Sequence, residues 1–255
     1  MSPLDWLGSL ETTSPLGTIT ATRTGACAEL TLDHDRARNS LTTKMMGEFV
    51  AIVDEWVANP PVVWTLRARG RAFCAGGHLG DVRAHLGTPE AGHRMATVMG
   101  EAVQRLATLP ALGIVVVEGA AVGGGAELAL CGDVCIMGVD ARLSFVQAQR
   151  GVALGWGGAS RLVDRVGKTQ ALRILLTSPI VSAAEAEALG IAVCATDVNA
   201  QVTAMVDAVL ALEPEVVRAV VSQVRGTATE PEAFSTVWGS TGHLARLAGL
   251  PWGRS

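Results

Sequence analysis

The sequence has no long apolar run and no block of like charges, and these two absences exclude broad classes of protein. None of its apolar segments reaches the roughly 18 residues that a membrane-spanning helix needs. Its first 17 residues lack the basic and apolar pattern of a signal peptide. The net charge is -4, without a strongly basic stretch. We therefore expect neither a membrane nor a nucleic acid as a partner.

Cysteine pairs and ligand-like histidine spacings are also absent. The five cysteines are scattered without a C-x-x-C pair, and most have apolar neighbours, where cysteine packs as a small hydrophobic residue. They are Cys27, Cys74, Cys131, Cys135 and Cys194. We expect them to be reduced and structural, which favours a cytoplasmic protein. No metal site and no Ser-His-Asp set is predicted.

What the sequence does contain is an alternation of strand and helix patterns around one substantial core. Its 255 residues, of which 49% are apolar, are enough to bury such a core. Residues 17–35 predict a β-hairpin that turns at Thr24-Gly25. The other predicted strands are 62–68, 113–119 and 134–139, and the predicted helices are 42–57, 89–106 and one that begins near Ala126. This alternation predicts an α/β fold with parallel connections.

From about Ala159 onward only helical patterns are recognised, which leaves this third of the chain little sheet to pack on. We therefore predict a core over residues 1–195 that carries the site, and a helical oligomerisation region over 196–255 that docks on another copy of the chain. The predicted helices are Ala183–Leu189, Val202–Leu212, Glu215–Val224 and Glu232–Leu247.

Two glycine-rich stretches follow predicted strands, FCAGGHLGDV at 73–82 and GAAVGGGAELALCGDV at 119–134. Neither has the spacing or the lysine of a nucleotide-binding loop. The first, counted from Ala72, is expected to stay loop-like and the second to begin a helix, and we expect the two stretches to meet in space and form one site. Tight turns alone would explain the glycines. The chemical alternative is that one bare N–H group from each loop stabilises an oxygen that acquires negative charge, the second donor lying at a helix N-terminus.

At this spacing the two stretches resemble the paired signatures of the crotonase (enoyl-CoA hydratase/isomerase) superfamily. LDHDRARNSL at 32–41 and GVALGWGGASRLVDRVG at 151–167 extend the resemblance over nearly the whole chain. It implies an α/β fold with a ββα spiral core and a helical C-terminal trimerisation region. It also implies an acyl-CoA thioester substrate, with coenzyme A as part of the substrate and no separate cofactor, and a homotrimer or dimer of trimers.

The resemblance also implies which backbone groups act. The thioester oxygen would lie between the N–H groups of Gly77 and Gly124, which are therefore candidate catalytic groups. The flanking residues Ala75, Gly76 and Gly123 would contact the substrate. The glycine loops would then form an oxyanion hole.

Hydratases of this family use two glutamates to position a water, and only one is present here. It corresponds to Glu127, three residues after Gly124, whereas Gln147 occupies the second position. Residues 141–163 contain no Asp or Glu at all. A neutral amide cannot accept a proton near neutral pH, so syn-hydration is not the expected reaction. Decarboxylation of a malonyl-type thioester needs no second acid, because the charge of its enolate lies on the thioester oxygen.

Three short stretches resemble the ethylmalonyl-CoA decarboxylase branch of the family more than its hydratases. They are LGTPEAG at 86–92, LGWGGASRL at 154–162 and TVWGS at 236–240. We therefore predict a carbon-carbon lyase that decarboxylates ethylmalonyl-CoA or methylmalonyl-CoA. Three alternatives stay open: a single-glutamate enoyl-CoA hydratase/isomerase, an enzyme for carrier-protein thioesters, and a catalytically silent oligomeric binding module.

Under this prediction four side chains have roles at the site. Glu127 orients the substrate or relays a proton to its α-carbon, unless it only favours the helix dipole. Gln147 hydrogen-bonds the departing carboxylate. Trp156 and Trp238 are expected to be apolar walls of the site or plain core.

Four further residues bear on the site, two of them as departures from the family pattern. His78 stands where the family usually has aspartate, either as a proton donor or carboxylate anchor or as a residue that pins the loop. Leu154 replaces a proline, which leaves the shape of that loop open. Arg36 and Arg38 are expected to contact the phosphates of coenzyme A, or else to be a solvated pair.

Overall fold

The computed structural model describes residues 2–14 and 16–249, in which helices cover two β-sheets. The strands are β1 Thr18–Thr24, β2 Cys27–Asp33, β3 Val63–Ala68, β4 Ala72–Cys74, β5 Leu112–Val117, β6 Ala120–Val122, β7 Val134–Gly138, β8 Arg142–Ser144, β9 Val181–Ser182 and β10 Val193–Ala195. The helices are α1 Pro3–Gly8, α2 Thr43–Ala58, α3 Leu79–His85, α4 Pro89–Ala107, α5 Gly124–Ala129, α6 Gly158–Thr177, α7 Ala183–Ala188, α8 Val198–Leu210, α9 Pro214–Val224, α10 Glu230–Val237 and α11 Thr241–Gly249. None of the helices over these residues is long and apolar enough to cross a membrane.

The larger sheet has the strand order β1-β2-β3-β5-β7-β10. The predicted hairpin is confirmed, because β1 and β2 pair antiparallel with Thr24 opposite Cys27. The predicted parallel connections are confirmed for the other pairs of this sheet. The predicted helices α2 and α4 are also confirmed. Each begins after a threonine, Thr42 or Thr88, whose hydroxyl accepts a hydrogen bond from the N–H group three residues later.

Strand β5 shows that this sheet is buried on both faces. Val115 and Val117 belong to the core cluster that contains the buried faces of α2 and α4. The alternate residues Ile114 and Val116 belong to a second apolar cluster, to which α8 and α9 contribute. Because successive side chains of a strand point to opposite faces, an unbroken apolar run fits this two-sided burial.

The C-terminal third departs from the prediction in three ways. It is not entirely helical, because β9 joins the smaller sheet and β10 pairs with β7 at the edge of the larger one. Strands of two or three residues are too short to show a periodic pattern. Helices α8 and α9 pack on the sheet of their own chain, rather than only on another copy. The predicted helix Glu232–Leu247 is two helices, divided at Gly239, whose φ is +76°.

The smaller sheet positions the two glycine-rich stretches. Its strand order is β4-β6-β8-β9, and β4 pairs with β6 in parallel, with Ala72 opposite Ala120. Each of these two strands leads directly into a glycine loop. Because parallel strands end at the same edge of a sheet, this pairing brings both loops to one place.

The cysteines fit the prediction that they are reduced. All five are free. Cys74, Cys131 and Cys135 are buried, and burial raises the pKa of each of these thiols to about 12. Cys27 and Cys194 are only half-buried. The buried thiols stay protonated at neutral pH, so they are packing residues rather than nucleophiles.

Candidate active site

The two glycine loops lie against each other. Gly76, with a φ of +88°, comes so close to the second loop that an added Cβ would lie 3.1 Å from the backbone nitrogen of Gly124 and 3.2 Å from the carbonyl oxygen of Val122. Only glycine combines this φ with so close an approach of two backbones. The expectation that the two stretches meet in space is therefore confirmed.

Within the described residues, the N–H groups of Gly77 and Gly124 have no hydrogen-bond partner. Leu41 donates its N–H to the carbonyl of Gly76 at 2.8 Å, and its own carbonyl accepts from His78 at 2.8 Å. Backbone groups alternate in direction along such a bridge, so the Gly77 amide faces away from Leu41. Gly124 is the first residue of α5, where N–H groups have no intrahelical acceptor. Neither amide has a hydrogen-bond acceptor within residues 2–14 and 16–249.

The neighbouring amides in these loops are already engaged. Gly123 donates to the carbonyl of Ser144 at 2.8 Å, and Gly76 donates to Sγ of Cys74 at 3.4 Å. Ala75 donates to the carbonyl of Arg38 at 3.0 Å. These bonds fix the backbone immediately before each of the two free amides.

The Glu127 carboxylate, one helical turn after Gly124, is buried and accepts four hydrogen bonds. Oε1 accepts from Nε2 of Gln147 at 2.9 Å and from the Gly155 amide at 3.4 Å. Oε2 accepts from the Trp156 amide at 2.8 Å and from the Gly158 amide at 3.0 Å. Three of the four donors are backbone groups of one loop. Glu127 therefore fixes the conformation of residues 155–158, where the sequence left the loop shape open.

Gln147 is buried beside Glu127, with 7% of its surface exposed. A carboxylate only accepts hydrogen bonds, so its contact with Glu127 determines which end of the Gln147 amide carries the N–H groups. The other end, Oε1, is buried and has no hydrogen-bond partner within the part of the chain that the structure describes. The predicted contact between Gln147 and a departing carboxylate stays a prediction.

Trp156 forms a rigid apolar wall next to the Gly124 amide. A Cβ added at Gly124 would overlap the indole ring. The ring nitrogen donates to Sδ of Met95 at 3.2 Å, and the Trp156 backbone is bound to Glu127. Leu154, which replaces the family's proline, packs against the core from a half-buried position. The indole is thus held at its backbone and at its ring nitrogen.

His78 caps helix α3 instead of continuing the loop, which corrects the expectation that residues 72–82 stay loop-like. Its Nδ1 lies 3.3 Å from the backbone nitrogen of Asp81 and 3.2 Å from Oδ1 of the same residue. The ring also stands 5.7 Å from the ring of His34, centroid to centroid. The structure therefore places His78 where it pins the start of α3. A role as proton donor stays a prediction.

The family follows from the sequence together with this geometry. The family model of enoyl-CoA hydratase/isomerase matches residues 22–236. The chain belongs to this family. Ethylmalonyl-CoA decarboxylase of Xenopus laevis is 30% identical over 238 residues, which cover 87% of this chain and 79% of the relative. The enzyme of the same name from Danio rerio is 30% identical over 244 residues, covering 88% and 80%.

Solved structures confirm the crotonase fold. An enoyl-CoA hydratase from Bacillus anthracis superimposes with a TM-score of 0.84 at 22% identity, covering 91% of this chain and 95% of its own. A putative enoyl-CoA hydratase from Thermobifida fusca, solved in complex with acetoacetyl-CoA, has a TM-score of 0.75 at 26% identity and covers 91% and 95%. This chain is therefore a crotonase-family acyl-CoA enzyme with the α/β architecture predicted from its sequence.

In this crotonase the two predicted phosphate-binding arginines lie at the surface near the first loop. Arg36 and Arg38 are exposed and form no ion pair within the described residues. Arg38 has a φ of +52°, and its carbonyl is bound by Ala75. Arg36 lines an open depression of about 470 Å³. Whether either arginine meets a phosphate stays a prediction.

Trp238, the second predicted wall of the site, lies at the surface. Its indole is 61% exposed. Its ring stacks on that of Phe234, with the centroids 4.8 Å apart, and lies tilted against that of His243, with the centroids 4.4 Å apart, between α10 and α11. Trp238 is therefore not a core residue, and its role as a wall of the site stays a prediction.

Two buried polar residues that support the site were missed from the sequence. Asn39, at a φ of +53°, donates to the carbonyls of Arg69 and Ala72 at 2.7 Å each and so fixes the start of β4. Asp81 accepts from the amides of Thr13 and Thr43 at 2.7 and 2.8 Å. The signal for Asp81 was its position three residues after a helix cap. Asn39 had none beyond its tolerance of positive φ.

Burial by itself raises the pKa of the Asp81 carboxyl. The hydrogen bonds donated by Thr13, Thr43 and Thr12 outweigh it and hold the pKa well below its ordinary value. Asp81 is therefore an anion that ties the N-terminal segment, α2 and α3 together directly behind the first glycine loop.

Proposed function

We propose that this enzyme decarboxylates a malonyl-type acyl-CoA thioester, ethylmalonyl-CoA or methylmalonyl-CoA. The observation that carries the proposal is the contact between Glu127 and Gln147. Where the family's hydratases have two carboxylates, this site has one carboxylate bound to a neutral amide. Relatives named ethylmalonyl-CoA decarboxylase, at 30% identity, support the same reaction.

The two free amides supply the stabilisation that this reaction needs. The thioester oxygen accepts hydrogen bonds from Gly77 and Gly124, which form the oxyanion hole. When carbon dioxide leaves, the electron pair of the broken C–C bond moves into the enolate, and its charge falls on that oxygen. The positive end of the α5 backbone at Gly124 favours the same charge. A neighbour solved with acetoacetyl-CoA supports a coenzyme A thioester as ligand.

The side chains around the hole hold it in shape and keep it apolar. Trp156 covers the Gly124 side and weakens the solvation of the substrate carboxylate, which favours its loss. Glu127 orients the site through residues 155–158. Its four hydrogen bonds favour this role over proton relay, because a proton on either oxygen would oppose an N–H donor.

The experiment that tests the proposal compares three substrates. Purified protein is incubated with ethylmalonyl-CoA, methylmalonyl-CoA and crotonyl-CoA, and the products are identified by mass. We expect at least one of the first two substrates to lose the mass of one carbon dioxide. Addition of water to crotonyl-CoA at a rate typical of hydratases, without decarboxylation, would contradict the proposal and favour the single-glutamate hydratase/isomerase.

A fourth assay uses the same acyl group attached to a carrier protein. It shows whether the enzyme prefers coenzyme A thioesters or carrier-protein thioesters. Preference for coenzyme A is expected, because Arg36 and Arg38 present exposed cations near the first loop. A protein inactive on every thioester would match the silent binding module instead.

The assembly and the compartment are part of the same proposal. We expect a homotrimer or a dimer of trimers in the cytoplasm. Leu172, Leu176 and Ile180 support association, since they are 51%, 67% and 64% exposed on and just after α6. Light scattering measures the mass of the protein as it elutes from a size-exclusion column and so tests the assembly. The mass of a monomer would contradict the proposal.

A further inference from the structure

The carbonyl oxygen of Gln147 is a buried acceptor that finds no donor among the described residues. The residue is more than nine-tenths buried, and its Nε2 is turned to Glu127. Covalent geometry therefore keeps Oε1 within about 5 Å of the Glu127 carboxylate, inside the site. No donor reaches it within residues 2–14 and 16–249. An unsatisfied buried acceptor costs free energy, so a donor is expected to occupy this place in the working enzyme.

The substrate itself has no donor to offer there. Around its α-carbon a malonyl-type thioester carries a carboxylate, a thioester carbonyl and an alkyl group, all of which lack N–H and O–H groups. Glu127 cannot turn a donor toward Gln147 either, because each of its oxygens already accepts two hydrogen bonds. Water is the small donor that fits an orphan acceptor in a polar buried place.

The reaction also needs a proton, and the hydrogen bonds of Glu127 and of Nδ1 of His78 leave neither group free to supply it. The enolate left by decarboxylation must be protonated at its α-carbon. Each oxygen of the Glu127 carboxylate already accepts two hydrogen bonds, so a proton on it would face an N–H donor. His78 has its Nδ1 turned toward Asp81 at the start of α3. A held water would supply this proton from one side of the enolate.

We infer that Gln147 Oε1 holds the water that protonates the α-carbon of the enolate. The inference rests on the proposed decarboxylation. The α-carbon–carboxylate bond breaks, and its electron pair forms the enolate. An O–H bond of the water then breaks as the new α-C–H bond forms, and the hydroxide combines with carbon dioxide. Thioester carboxylate and water thus give the decarboxylated thioester and hydrogencarbonate, with one negative charge on each side. Gln147 is a positioning residue in this step.

The test follows the proton separately from the carbon dioxide. The reaction is run with ethylmalonyl-CoA in deuterium oxide, and both the released carbon dioxide with hydrogencarbonate and the configuration at the α-carbon of butyryl-CoA are measured. For the wild-type protein we expect one deuterium in a single configuration, because the held water reaches one face. A wild-type product of mixed configuration overturns the inference without any variant.

The variant Gln147→Leu removes the acceptor at similar volume. We expect carbon dioxide release to fall by less than about tenfold, the scale of one hydrogen bond, while the deuterium appears in both configurations. The matched control is Gln201→Leu, on the exposed side of α8, which is expected to change neither readout. Gln147→Met serves as a second variant of similar size.

Two further results decide the case. A single configuration retained by Gln147→Leu or Gln147→Met, with release intact, overturns the inference and leaves the decarboxylation standing. Absence of release from the wild-type protein rejects the proposed function, and the inference with it.

Discussion

The indole ring of Trp156 lies directly on the α-carbon of Gly124, so that even a methyl group on Gly124 would overlap the ring. This contact joins the residue that offers a free amide to the loop that Glu127 holds. The wall of the site and its hydrogen-bond donor therefore cannot move independently. Several consequences of this arrangement are open to measurement.

Gly124→Ala is expected to remove most of the activity while the chain stays folded. The added methyl group displaces Trp156 and the Gly124 amide, and loss of one oxyanion donor lowers kcat by a factor of about 10² to 10³. The control is Gly8→Ala in α1, where an added Cβ would meet nothing within 4 Å. Equal rates of carbon dioxide release by the two variants would contradict the assignment of Gly124.

Glu127→Gln is expected to abolish activity without unfolding the chain. The new NH₂ group faces amides that are themselves donors, so at least one hydrogen bond to residues 155–158 is lost. The free energy of unfolding should fall by about 1–3 kcal/mol. Urea unfolding and carbon dioxide release are measured on the same sample. A fully active variant would remove Glu127 from the mechanism.

Much of this arrangement could be predicted from the sequence. The hairpin, α2, α4 and the buried strand β5 have clear periodic patterns or turn signals, and the glycine stretches resemble family signatures. Glu127 and Gln147 followed from counting positions from Gly124 and from the GVALGWGG segment. These predictions depend on local order along the chain, which sequence patterns report well.

What the sequence could not show are the contacts between distant residues. Nothing local indicates that Glu127 accepts three amides from residues 155–158, or that the three-residue strands β4 and β6 pair. His78 as the cap of α3 and the packing of α8 on its own sheet also depend on tertiary structure. A short strand or a capping side chain has too few residues to produce a pattern.

Replacement of His78 distinguishes a helix cap from a proton donor. Asparagine is a good cap, whereas alanine is not, so His78→Ala should lose about 1 kcal/mol of stability and His78→Asn much less. If capping is the role of His78, His78→Asn keeps its activity. Thermal unfolding and carbon dioxide release are compared for both variants. Inactivity of a stable His78→Asn protein would support the proton donor instead.

The lowered pKa of Asp81 predicts how the free energy of unfolding changes at acid pH. Because the folded carboxyl releases its proton more readily than the unfolded one, its contribution is complete above the unfolded pKa and is lost as the pH falls toward the folded value. The free energy of unfolding should therefore decline below about pH 4. In Asp81→Asn this decline should be shallower. Urea unfolding of both proteins between neutral and acid pH checks this. The same decline in the wild-type protein and in Asp81→Asn would contradict it.

The central claim is that two backbone amides hold the thioester oxygen, and a crystal structure with bound butyryl-CoA tests it most directly. The account predicts the thioester oxygen about 2.7–3.1 Å from the nitrogens of both Gly77 and Gly124, the distance expected for oxyanion donors. A thioester oxygen bound elsewhere, or amides turned away to partners within the protein, would contradict it.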